Sequence, residues 1–99
     1  MQNIDELNEA INFIENEKNY YSMFKHVITS CAYARLTALE LWNFSKISDI
    51  DLHSYIQKIE MARQKAIITH KKWVLKRLRE NERYHTVESI VNSIYDVIF

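Results

Sequence analysis

The chain has 99 residues, thirteen basic and thirteen acidic side chains, and neither glycine nor proline. That length allows one domain over 1–99 with a modest core, the 47% hydrophobic content excludes a disordered chain, and the balanced charge gives no bulk attraction to nucleic acid or to a membrane. The missing glycines exclude phosphate-cradling loops, dinucleotide fingerprints and glycine-flanked nucleophile elbows, and the lack of both residues predicts helix joined by short turns of Asn, Ser, Asp and Lys.

Four helices follow from the 3.6-residue periodicity. The first starts after Asn3, a good N-cap, and carries the apolar stripe Ile4, Leu7, Ile11 and Ile14. Its early acids Asp5, Glu6 and Glu9 suit the positive end of the helix dipole. A break is expected over Asn16–Asn19. The second helix spans Tyr20 to Phe44, with the stripe Phe24, Val27, Ile28, Cys31, Ala32, Ala38, Leu39 and Trp42. Asn43–Asp49 is the clearest turn, and Ser48 with Asp51 reads as a capping box with Asp in place of Glu. The third helix runs from Asp49 to Arg79. Its stripe is Leu52, Tyr55, Ile56, Ile59, Ala62, Ala66, Ile67, Trp73, Val74 and Leu78. The next turn falls in Arg79–His85, with Asn81 as a left-handed C-cap. Thr86 should cap a final helix bearing Val87, Ile90, Val91, Ile94, Val97 and Ile98, and Phe99 should dock.

Short connections between helices give antiparallel neighbours. The expected fold is therefore all-α: an irregular antiparallel bundle of about four helices, the second and third long and paired as a hairpin. No apolar run approaches the roughly 20 residues of a membrane span, Met1–Asp5 lacks the pattern of a signal peptide, and Cys31 is the single cysteine. A reducing, cytoplasmic location is expected, with no membrane partner. Richness in Ile, Asn, Lys and Tyr suggests an AT-rich bacterial or phage genome. Charge is segregated despite the zero total. Residues 1–17 carry five acids and no base, while 63–83 carry eight bases against Glu80 and Glu82. An acidic helix beside a basic one is the simple account; an RNA-binding stripe around Trp73 is the functional one.

Helical phase places several polar residues on apolar faces. Arg35 falls near the centre of the second helix's stripe. Arg63, His70 and Arg77 lie one heptad apart and point with Leu52, Ile56, Ile59 and Val74. Buried Arg needs a partner, because desolvating a charge costs several kcal/mol, roughly. Glu15 is the acid best placed for Arg35 or Arg63, whereas Glu40, Glu60 and Asp96 point away from their own stripes. Three readings follow: structural pairing, an oligomer interface, or a pocket for a small anionic ligand lined by Arg35, Arg63 and His70 with Tyr55 and Trp73.

Catalytic and metal chemistry find little support. Cys31 sits in an apolar stripe as a small hydrophobe. The four histidines, His26, His53, His70 and His85, are too widely spaced to set two metal ligands on one helix face. No cofactor or metal is expected. One pattern stands apart. Arg63-Gln-Lys-Ala-Ile-Ile-Thr-His70 is similar to the Arg–x(4–6)–His motif of the HEPN superfamily, helical proteins that include ribonucleases. That resemblance implies His70 as acid–base group and Arg63 as phosphate stabiliser. It covers these eight residues, and Arg79 with His85 repeats the spacing. In length and helical architecture the chain also resembles small bacteriocin immunity proteins, without a shared motif. The favoured expectation is a non-enzymatic protein-interaction module, self-associating or bound to a protein partner. The alternatives are a HEPN-like RNA-acting protein and an anion binder.

Overall fold

The computed structural model describes residues 3–79 and 84–99. The described residues form five helices and no strand: α1 (Ile4–Glu15), α2 (Asn19–Ser22), α3 (Phe24–Asn43), α4 (Asp49–Leu78) and α5 (Tyr84–Ile98). The all-α bundle expected from the sequence is the architecture observed. Along the α3–α4 pair, Trp42 meets Asp49, Arg35 meets Glu60 and Phe24 meets His70, so the two long helices run antiparallel. α1 packs against both of them, while α5 packs on α4.

Local chemistry fixes the helix ends. Asn3 Oδ1 accepts from the Glu6 N–H at 2.8 Å and caps α1. Past its end, Asn19 Nδ2 donates to the Phe13 carbonyl and the buried Tyr20 hydroxyl donates to the Ile14 carbonyl, each at 2.8 Å. Two carbonyls that the helix leaves open are thereby satisfied. Leu7, Ile11 and Ile14 are buried as their spacing predicts, while Ile4 is exposed.

The predicted second helix is two elements. Met23 leaves helical geometry with φ −115° and ψ 22°, which separates α2 from α3. Hydrogen bonds still cross the junction, from Met23 to Asn19 and from Val27 to Met23, so the break is a kink. It lets Tyr20 reach back to α1 while Phe24 turns to α4.

The α3–α4 turn replaces glycine with serine. Ser45 takes φ 58°. Its N–H bonds the Trp42 carbonyl at 3.0 Å, and the Lys46 N–H bonds the Leu41 carbonyl at 2.8 Å. These two bonds form a Schellman motif, which normally places Gly in the left-handed position. Ser48 Oγ then accepts from the Asp51 N–H at 3.1 Å and caps α4. Trp42 Nε1 donates to Asp49 across the same turn at 2.6 Å.

The core lies between α1, α3 and the first two-thirds of α4, built around Leu7, Ile14, Tyr20, Val27, Cys31 and Ile59. α3 faces it with Phe24, Val27, Cys31 and Ala38 of the predicted stripe and with Ala34, Thr37 and Leu41, which shifts the buried face to one side of the predicted one. Ala32, Leu39 and Trp42 are exposed. Among the described residues the acidic and basic segments meet in one ion pair, Glu17 of the α1–α2 turn with Lys65 of α4 at 2.6 Å. α5 begins at Tyr84, two residues before the expected cap Thr86. The expected cap Asn81 lies outside the described residues.

Candidate functional site

The five polar and aromatic candidates fall into two groups. Arg35 and Arg63 flank Cys31 between α3 and α4. Arg35 is not at the centre of a buried stripe: it sits at the rim, with its side chain 41% exposed, paired with Glu60 at 2.8 Å. Glu15 is not its partner, and Glu60, expected to point away, is. The error is one of phase. α3 is apolar on both flanks, and the flank holding Ala34, Thr37 and Leu41 is the buried one. Arg63 is half-buried and makes no ion pair with a described residue. Burial pushes the Cys31 thiol up to about 11, although both guanidiniums pull it down. The protonated, fully enclosed thiol is no nucleophile.

His70, Trp73 and Arg77 belong to an aromatic cluster two turns further along α4. The His70 ring stacks on Phe24 with centroids 4.0 Å apart and planes 7° from parallel. The imidazole Nδ1 is hydrogen-bonded to the Tyr95 hydroxyl of α5, with the donor set by the ring tautomer. Trp73 lies 5.6 Å from His70 and 5.7 Å from Tyr21. The exposed Arg77 covers Trp73 at 4.9 Å, a cation–π contact, instead of pointing with the apolar stripe. Phe99 packs edge-on to Phe24 at 5.2 Å, so its expected docking is realised. Burial lowers the His70 pKa, which favours the neutral ring. The cluster thus binds α2, α3, α4 and α5 together at one end of the core. The two residues of the HEPN-like pattern are separated by two helical turns, roughly 10 Å. Arg63 sits beside Cys31, and His70 is held between Phe24 and Tyr95. Tyr55 is half-buried against the core.

α5 supplies a feature whose orientation the sequence does not reveal. It is strongly amphipathic, yet its apolar stripe faces outward. Val91 is its one buried residue among those described. Ile90, Ile94 and Ile98 are about half exposed or more, and Val97 is 85% exposed. The side turned to the bundle carries Val91, Tyr95 and Phe99. The outward residues, with Ser89 and Ser93, line an open groove of about 410 Å³. A second hollow of about 350 Å³ lies between α1, α2 and α4, walled by Glu15, Tyr20, Lys58, Met61, Ala62 and Lys65. Its cationic groups are surface lysines, and Lys65 is already paired with Glu17.

Among the described residues, no group of His, Cys, Asp and Glu could hold a metal ion, and no helix is long and apolar enough to cross a membrane. No family model matches the chain, and no curated protein or solved structure matches it. The functional reading therefore rests on geometry, and α5 is where the geometry departs furthest from what folding alone requires.

Proposed function

We propose that this protein is a small, non-enzymatic helical interaction module that binds a protein partner through the outward face of α5. One observation carries the reading: an amphipathic helix whose apolar side is left in water. Proteins that act alone rarely leave an apolar patch of several hundred Å², roughly, uncovered. Single exposed leucines need no explanation, but Ile90, Ile94, Val97 and Ile98 recur at helical spacing and form one continuous row. Helix-in-groove and helix-on-helix recognition both read such i, i+4, i+7 anchors. A cytoplasmic setting fits the same reading.

The experiment is site-specific photo-cross-linking in cells. A photoreactive residue at Ile94 should give a discrete protein adduct. The same residue at the exposed Gln64 on α4 should give none. No adduct at either position overturns the reading.

A further inference from the structure

We propose that the partner on α5 is a second copy of this chain, docked α5 against α5 in antiparallel sense, so that two α4–α5 hairpins close into a four-helix bundle. This rests on the reading of α5 as the binding face, and four features of the chain select a copy of itself as the occupant.

The first is charge. The exposed row of Ile90, Ile94, Val97 and Ile98 is lined only by Ser89 and Ser93. Glu88 and Asp96, the described acids of α5, lie off the row, across Ser89 and Ser93 in an adjoining groove. In a two-fold pairing each group meets a symmetry-related copy, so a charge on the seam would meet its own sign. Among the described residues the seam carries none. A charged partner surface would find no counter-charge there.

The second is register. With Ile94 on the two-fold axis of an antiparallel pair, Ile90 of one copy lies opposite Ile98 of the other. The apolar row is thus complementary to its own reversal, as an isologous interface requires.

The third is area. Four large aliphatic side chains at these exposures offer roughly 430 Å² per copy, so that pairing removes about 850 Å² in total, the size of a weak, reversible interface.

The fourth is the unfinished state of this end of the molecule. The buried residues of α4 are Ile59, Ala62 and Ala66. Beyond Ala66 no described residue of α4 is buried, and α5 adds only Val91. Tyr21 and Phe24 reach the seam only as far as Trp73, and past it two helices alone cannot enclose a seam between them. Four can, and the four-helix bundle is the standard solution.

The test is sedimentation equilibrium over a concentration series at low and moderate salt. The intact chain should reach twice its monomer mass, with an association constant that salt barely changes, because no charges meet on the seam. Ile94→Asp should weaken association on the order of 100-fold, the effect of an unpaired charge forced into an interface. Ile94→Lys should do the same. Mixing the two variants should restore the dimer, since only a residue at the two-fold axis meets itself. Because Ile94 is exposed in the single chain, both variants should keep the helix content of the intact protein, which circular dichroism checks. A monomer at every concentration up to roughly 1 mM, or a dimer indifferent to Ile94→Asp, overturns self-pairing. If the chain is monomeric and Ile94 still cross-links another protein in cells, self-pairing falls while the interaction reading stands. If the chain is monomeric and no adduct forms, both fall.

Discussion

Burial holds the His70 imidazole below its ordinary pKa of 6.5, and this gives the α4–α5 contact a pH dependence whose sign can be worked out. The unfolded chain takes up the proton near pH 6.5, whereas the folded chain takes it up at lower pH. Between those two values the unfolded state binds more protons, so stability rises with pH through that window. Above it the neutral ring carries no penalty, and on acidification the contact weakens. When Nδ1 is protonated the Tyr95 hydroxyl can accept in place of donating, so burial is what favours the neutral ring. The titration midpoint of His70, followed by NMR, is therefore expected below 6.5. Tyr95→Phe should keep that midpoint below 6.5, because burial is the cause, and should cost about 1 kcal/mol in stability, the net value of one hydrogen bond. A midpoint at or above 6.5 in the intact protein would overturn burial as the controlling effect. Arg35 and Glu60 illustrate the opposite case at the same scale. Their side chains are 41% and 39% exposed, so water screens the pair and it contributes little. From the sequence Arg35 looked like a costly buried charge. The structure resolves the cost by placing it at the rim.

At the scale of elements, the absence of glycine is felt most at Ser45. A residue with a Cβ in the left-handed region clashes with the following carbonyl, at roughly 1–2 kcal/mol. Ser45 sits there at φ 58° because two turn hydrogen bonds hold it. Ser45→Gly should therefore raise stability by about 1 kcal/mol, read as a higher midpoint in chemical denaturation. No gain would show that the flexibility glycine adds to the unfolded chain cancels the relief. The existence of every long helix was legible in the sequence, and so was this turn. Which face of each helix turns inward was legible only where the apolar arc is narrow. α1 has one such arc, and Leu7, Ile11 and Ile14 are buried. α3 is apolar on two sides, with Ile28, Ala32, Leu36 and Leu39 on one and Ala34, Ala38 and Leu41 on the other. Periodicity identifies such a helix without choosing its side. α5 misleads in a stronger way. Its stripe is unambiguous, but the chain docks it through Tyr95 and Phe99, whose partner Phe24 is distant in sequence. The aromatic cluster on His70 could not be assembled from spacing on one helix, because four elements contribute to it. The outward face of α5 was equally hidden, since an apolar stripe does not say whether its cover belongs to the same chain.

At the scale of the whole molecule, shape and stability point to the same end. The extents are 55 × 22 × 19 Å and the radius of gyration is 16.3 Å, against about 13 Å for a compact domain of this length. The 30 residues of α4 account for the elongation, since a helix of that length spans roughly 45 Å. Its first two-thirds are clothed by α1 and α3, whereas its last third has α5 and the rings of Tyr21 and Phe24 beside it and no buried residue. Local opening follows buried apolar contact, so amide exchange should divide the chain. α3 and the stretch of α4 up to Ala66 should exchange slowest, and α5 with the remainder of α4 fastest. Pairing of two α5 helices would add burial to the fast half alone. Dilution through the dimer–monomer transition should then accelerate exchange in α5 and leave α3 unchanged, while Ile94→Asp should show the fast α5 rates at every concentration. If α5 is slow in the monomer as well, Val91 and the aromatic cluster suffice to hold it, and its outward face contributes nothing to keeping the helix in place.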